Sequence, residues 1–212
     1  MKDLLIIGAR ALGREIFKLS PQFLGYKVNW SIKGYLDDKK NALDDFPGFP
    51  SIIDSVESYE IQPNDVFVCA LGDVYQRHKY VQIIKDKGGY FISLIHSSSI
   101  ILNEYKHNEG LIVLPFTFIS CNTELGDFNT MLSFSVIGHD VMVGNFCQIG
   151  THSFLGGHVK TGNFVTIHTG AKIIPHTKIG NNTTIGVGSV VIKDTPDNCS
   201  VFGNPAKKIY TR

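Results

Sequence analysis

The chain has 212 residues, 43% of them hydrophobic and 18% charged, with a formal net charge of +1. That balance sustains a buried core and excludes a disordered polar chain. Near-neutrality, without a basic stripe interleaved with aromatics, removes the electrostatic reason to expect nucleic acid as a partner.

The first element is an apolar run, Leu4–Ile7, which ends in a Gly-rich turn. It resembles a signal sequence only superficially: four apolar residues are too few, and a first strand is the better reading. No run approaches the ~20 apolar residues that cross a bilayer, so no membrane partner is expected. Ala11–Leu19 has helical spacing, with Leu12, Ile16 and Leu19 on one face. Ser31–Leu36 and Val66–Leu71 read as strands, and Lys39–Pro50, with Asp, Asn, Gly and two Pro, as a loop. Arg77–Lys87 is a second expected helix, with Tyr80, Val81 and Ile84 on one side and Gly88-Gly89 as its stop. Phe91–Ile95 closes the region as a last strand. Strands alternating with helices predict a small parallel sheet, an α/β domain over residues 1–96. Cys69, Cys121, Cys147 and Cys199 lie far apart with no CxxC pair. They read as small buried groups of a cytoplasmic protein rather than disulfides or zinc ligands.

From about residue 113 a period of six takes over. Counted from Ile119, the first position is Leu125, Met131, Ile137, Val143, Ile149, Leu155, Thr161, Ile167, Ile173, Ile179, Ile185 and Val191, aliphatic or Met except Thr161. The second position is often Gly (126, 138, 144, 150, 156, 162, 180, 186) and the fifth is small or β-branched, Asn129 excepted. A period of six fits neither 3.6 nor 7, which excludes a helix. It fits a three-sided parallel β-helix of eighteen-residue coils stacked at the interstrand distance. The first and fifth positions point inward, and Gly or Asn is expected to ease the tight turns. The predicted second domain, residues 97–212, is therefore all-β.

Eighteen residues per coil stacks His139 under Gly157, with Cys121 below and Pro175 above. A neighbouring column holds Asp140, His158, His176 and Asp194. Corner side chains point out of the prism, where trimerisation typically covers them. Acyl transfer from a thioester needs a base near neutrality and a donor for the oxyanion. His139 and the unobstructed N–H of Gly157 supply both, and Asp140 can orient the imidazole. His152 is the best rival base. His158 and His176 share a column, but no third ligand is evident, so no metal is expected.

The segments Ser135–Asp140 (SVIGHD), Val143–Phe146 (VGNF) and Val201–Ile209 (VFGNPAKKI) resemble the sugar O-/N-acetyltransferase family. That family includes the sialic acid O-acetyltransferases and the bacterial UDP-sugar 4-amino N-acetyltransferases. The resemblance covers nearly the whole chain. It implies a left-handed β-helix behind a nucleotide-sugar domain, His139 as general base, Asp140 as its orienting neighbour, and Gly157 N–H toward the thioester carbonyl. It also implies a homotrimer with acetyl-CoA between adjacent prisms. The pantetheine arm would pass Thr169 and Val187 toward Gly203, Asn204, Pro205, Ala206 and Lys207.

Two departures matter. The second histidine of the family's G-x-F-x-H segment is Gln148 here, altering a CoA contact. The family's G-A-x-G-H-G turn reads Gly8-Ala9-Arg10-Ala11-Leu12-Gly13. Its outer glycines can still present N–H groups to a phosphate, with Arg10 pairing to it. Gly8, Arg10, Ala11, Leu12, the Asp37-Asp38 pair and Gly72 are the expected acceptor-binding residues. The expected activity is acetyl-CoA-dependent acetylation of a sugar amino or hydroxyl group in polysaccharide biosynthesis. The alternatives are a non-nucleotide acceptor such as sialic acid or serine, or a non-catalytic β-helix scaffold.

Overall fold

The computed structural model describes residues 1–102 and 108–211. Contacts divide the chain into Met1–Ser97 and Ser98–Arg212.

The first unit is α/β. Strands β1 (Lys2–Ile7), β2 (Trp30–Leu36), β3 (Ile52–Asp54) and β4 (Asp65–Cys69) form a parallel sheet in the order β3-β2-β1-β4. Central β1 carries Leu4, Leu5 and Ile6 at 0% exposure, the unbroken apolar run of a strand buried on both faces. Helices α1 (Ala11–Leu19) and α2 (Val74–Asp86) follow β1 and β4. α2 starts three residues before the expected Arg77, because Asp73 caps it, accepting from the N–H groups of Tyr75 (3.0 Å) and Gln76 (2.9 Å). Arg77 is itself buried at 1% exposure, with Nε donating to the Leu71 carbonyl. Edge strand β3 has only three residues and escaped the pattern reading. Of the expected Phe91–Ile95 strand only Leu94–Ile95 is regular, with Phe91 bridged to Phe67.

Beneath the sheet's edge, Asp65 has a side chain at 0% exposure. It accepts from Lys33 Nζ, the Tyr59 hydroxyl and the Gln62 N–H, each at 2.7 Å. Burial alone would raise its pKa, but these donors outweigh burial and hold the carboxyl below its ordinary value.

The second unit is a left-handed parallel β-helix. One ladder runs through Ile100–Ile101, Phe118–Ile119, Val136–Ile137, Phe154–Leu155, Lys172–Ile173 and Val190–Val191. A second runs from Ile112–Val113 to Cys199–Gly203, where antiparallel Ala206–Thr211 ends it, and a third from Glu124–Leu125 to Lys178–Ile179. Register advances by eighteen residues: Val136 pairs with Phe154, and Phe154 with Lys172. The first hexad position is buried throughout except at half-buried Leu125. Fifth-position hydroxyls satisfy corner carbonyls three residues back, as with Thr117 to Leu114 (2.8 Å) and Thr177 to Ile174 (2.9 Å).

Two expectations are corrected. Second-position glycines are not the turn residues. They are small because a β-carbon would strike the next coil, 2.4 Å from the Gly162 oxygen at Gly144 and 2.6 Å from Thr169 N at Gly150. The left-handed residue is the fourth of each hexad, for example Asn122 (φ 54°), Asp140 (56°), Phe146 (55°) and His158 (61°). Second, the last coil is two residues short, since Thr184 pairs with Ser200 and Ile179 with Thr195. Asp194 therefore drops out of the column over His176, and its carboxylate accepts from the Lys178 N–H instead (2.8 Å).

The three corners share a backbone and differ in side chains. At one, an Asn/Asp ladder caps the third-position amides: Asn145 accepts from Asp127 N–H (2.8 Å), Asn163 from Asn145 (2.7 Å), Asn181 from Asn163 (2.9 Å) and Asp197 from Asn181 (2.7 Å). Phe128, Phe146 and Phe164 stack beside it at 4.9 and 5.4 Å. At a second, Phe116, Phe134 and His152 stack at 4.9 and 5.0 Å. The third carries Asn122, His139, Asp140, Gly157, His158, Pro175 and His176.

Candidate active site

At this third corner His139 lies directly under Gly157. The neighbouring His158 N–H bonds the His139 carbonyl (3.0 Å), and the His176 N–H that of Gly157 (3.0 Å). A β-carbon on Gly157 would lie 2.7 Å from both Cε1 and Nε2 of His139, so only glycine lets the ring pack there. Among the described residues no acceptor takes the Gly157 N–H, in contrast to the capped amides of the Asn ladder.

Consecutive side chains on a strand point to opposite faces. The left-handed turn at Asp140 (φ 56°) folds its carboxylate back onto the preceding residue, and Oδ2 lies 2.7 Å from His139 Nδ1. That hydrogen bond is the main reason the Asp140 carboxyl sits below its ordinary pKa. The Asn122 amide (3.3 Å) and the nearby imidazoles add to it, against a smaller opposing effect of burial. With Nδ1 engaged by a carboxylate, Nε2 is the nitrogen free to accept a proton, on the Gly157 side.

His158 extends the cluster. Its Nε2 is 3.8 Å from Asp140 Oδ2, its ring meets His139 edge-on at 5.2 Å, and His176 stacks on it at 4.6 Å. His139, Asp140 and His158 offer potential ligand atoms within 4.8 Å of one another, a grouping that spans two stacked coils. Asn122, eighteen residues before Asp140, was findable by the stacking rule and was missed.

The remaining corner candidates sit elsewhere on the chain. Thr169 and Val187 belong to the second corner, and one chain does not bring them beside His139. Gln148 is half-buried in the strand Gln148–Ile149. Gly203 to Lys207 form the closing hairpin, with Gly203 paired to Ala206 across Asn204-Pro205 and Gly203 N–H donating to Ser189 Oγ (3.1 Å).

In the first unit, a pocket of about 320 Å³ opens at the C-terminal ends of the strands, where α/β sheets bind ligands. Gly8, Arg10, Asp37 and Asp38 line it as expected, joined by the unanticipated Lys39, Gln76 and Tyr80. Asp37 accepts from the Ala9 N–H (2.8 Å), and the Tyr80 hydroxyl donates to Asp38, which pushes the phenol above its ordinary pKa. No side chain caps α1, so its first-turn N–H groups, from Ala11 and Leu12, remain directed outward from the helix start. Ala11, Leu12 and Gly72 are not among the lining residues; Leu71 stands where Gly72 was expected. Gly13 is dictated by packing, since its β-carbon would lie 1.9 Å from the Gly8 oxygen.

This corner of the three-sided solenoid therefore sets a histidine–carboxylate pair beside an uncapped amide. Residues 3–84 match the family model described as the PglD N-terminal domain. That match covers less than half of the chain, which over nearly its whole length is similar to solved sugar N-acetyltransferases. PerB from Caulobacter crescentus, solved in complex with CoA and GDP-perosamine, is similar at 25% identity and a TM-score of 0.88, over 99% of this chain and 98% of that one. The acetyltransferase domain of PglB from Neisseria gonorrhoeae, solved with acetyl coenzyme A, is similar at 26% identity and a TM-score of 0.84, over 98% and 99%. WeeI from Acinetobacter baumannii shares the fold at 21% identity, with a TM-score of 0.77 over 99% and 100%. No curated protein matches the chain.

Proposed function

We propose that this protein transfers an acetyl group from acetyl-CoA to an amino or hydroxyl group of a nucleotide-linked sugar, by direct attack without an acyl-enzyme. The observation that carries the proposal is the His139 ring, bonded to Asp140 through Nδ1 and lying with Nε2 against Gly157. The acceptor gives its proton to Nε2 as its nitrogen or oxygen bonds to the thioester carbon. The Gly157 N–H stabilises the oxyanion, and collapse breaks the C–S bond to release CoA, whose thiolate regains a proton.

PerB with CoA and GDP-perosamine, and the PglB domain with acetyl coenzyme A, support this choice of donor and acceptor class. The donor lies between prisms of a homotrimer, where Thr169, Val187 and the Gly203–Lys207 hairpin of one copy can face His139 of the next, with Gln148 on the CoA side. The first unit, residues 1–96, holds the acceptor. Arg10 and the first-turn amides of Ala11 and Leu12 meet the diphosphate, and Asp37 and Asp38 accept from the nucleoside beside Gly8 and Leu71. We place the enzyme in cytoplasmic polysaccharide biosynthesis, where its four free cysteines stay reduced.

Replacing His139 by Ala lowers turnover by about 10²–10⁴-fold, the contribution of a general base, while CoA binding persists. Retention of full turnover overturns the reading. Thermal stabilisation by UDP-, GDP-, dTDP- or CMP-sugars identifies the acceptor class.

A further inference from the structure

His139, Asp140 and His158 converge from two stacked coils, and nothing in the proposed chemistry employs His158. We propose that these three side chains form an inhibitory site for a zinc-class divalent cation, a regulation that rests on the acetyltransferase reading above.

Two imidazoles and a carboxylate are the donor set of zinc sites with three protein ligands and one open position. Their ligand atoms lie within 4.8 Å of one another. Metal–ligand bonds of ~2.0–2.1 Å in a tetrahedron place ligand atoms roughly 3.3 Å apart. The observed separations bracket that value: 2.7 Å from His139 Nδ1 to Asp140 Oδ2, and 3.8 Å from His158 Nε2 to Asp140 Oδ2. The side chains are 56%, 37% and 46% exposed for His139, Asp140 and His158, so the movement of about 1.5 Å that brings atoms up to 4.8 Å apart to tetrahedral spacing falls on solvent-facing groups. His176 stacks flat on the far side of His158 at 4.6 Å and holds that ring in place.

The consequence for the reaction follows from proton bookkeeping at the imidazole. In the free protein the Nδ1 proton lies toward Asp140, and Nε2 is the base. A cation on Nδ1 displaces that proton to Nε2, or to solvent if it also draws on Asp140. Neutral metal-bound imidazole carries its one proton on Nε2 and cannot accept another. The same ion removes Asp140 from its orienting role. The site thus switches off the base without occupying the Gly157 amide.

The test titrates Zn²⁺ alone into the full-length protein, by calorimetry or against a fluorescent indicator, and separately measures acetyl transfer at chelator-buffered free Zn²⁺. One ion per chain is expected, with inhibition reversed by EDTA. His158→Ala should weaken binding by at least the ~10–100-fold that loss of a supporting ligand contact costs, and raise the half-inhibiting concentration equally, with activity in EDTA unchanged. His168→Ala, which removes an exposed histidine at another corner, should leave binding unchanged. Thermal melting of each variant checks folding. Absence of stoichiometric binding, or wild-type affinity in His158→Ala, overturns the proposal. Direct titration needs no turnover, so a protein that binds zinc but transfers no acetyl group refutes the function and spares the site. An active protein indifferent to zinc does the reverse.

Discussion

Gly157→Ala isolates the contact between the amide and the base. The added methyl meets the His139 ring first: its three nearest atoms are Cε1 and Nε2 at 2.7 Å and Cδ2 at 3.3 Å. Ordinary contact begins at 3.4 Å, so the ring must retreat from 2.7 to 3.4 Å, about 0.7 Å. Its side chain is 56% exposed and can swing outward, so the fold absorbs the change within about 0.5 kcal/mol. The backbone N–H survives, and the damage falls on the position of Nε2 and its bond to Asp140. A misplacement of this order costs ~10²-fold in rate, near 2.7 kcal/mol of barrier. Thiol-coupled assay of CoA release gives kcat, and thermal melting gives stability. In a His139→Ala background the same substitution should cost almost nothing, because the ring it strikes is gone. A Gly157→Ala enzyme within about twofold of wild-type kcat would refute the reasoning.

Three further outcomes follow from the same geometry. Pro175 stands one coil above Gly157, where the sealed corner carries an Asn; Pro175→Asn should cap the Gly157 N–H and lower kcat toward the ~10²–10³-fold loss of an oxyanion donor, with CoA binding retained. Unchanged kcat removes that amide from the mechanism. Asp140→Asn should cost about tenfold or more in kcat, short of the ~10⁴ of a fully buried orienting carboxylate, because the Asp140 side chain is 37% exposed; kinetics with a matched melting curve decide it. Asp65 titrates below its ordinary value of 3.8 in the folded chain, so its stabilising contribution is complete above that pH and lost as pH falls through the folded pKa. Melting temperatures of Asp65→Asn should therefore fall less between pH 4 and pH 2 than those of wild type, a window set by the carboxylate range.

The β-helix was legible because one large inward aliphatic per hexad is a demand repeated at every side, and Ile137, Ile149, Ile167 and Ile185 meet it, each at 0% exposure. What the period concealed was local. The fourth hexad position must be left-handed, yet Phe128, Phe146 and Phe164 occupy it, residues that no turn rule selects. The shortened last coil was invisible because Thr195 is an acceptable fifth-position residue in the uninterrupted period, whereas it pairs with first-position Ile179. At the site, eighteen-residue stacking brought His139 to Gly157, but adjacent residues on a strand diverge, so the Asp140 contact depended on a backbone twist that the pattern did not disclose. In the first unit the Gly8 turn and the Asp37-Asp38 pair were readable from their positions after strands. Tyr80 reaches Asp38 across 42 residues, with no local signal to mark it.

Why the proposed chemistry falls at this corner follows from what the other two lack. Every corner offers the same left-handed turn, at roughly 1–2 kcal/mol per non-glycine residue. At the sealed corner, stacking of Phe128, Phe146 and Phe164 offsets part of that cost by ~0.5–1.5 kcal/mol per pair, and side-chain oxygens take the amides a thioester would need. At the second, His152 lies flat on Phe134 at 5.0 Å, and among the described residues no carboxylate is recorded bonding to its ring. Among the described residues only the third corner combines an imidazole, a carboxylate turned back onto it by the left-handed residue, and a glycine whose N–H remains uncapped. His152 satisfies the residue-type requirement for a base and fails the geometric one. The distinction between the two histidines is made by their neighbours eighteen residues away, not by the imidazoles themselves.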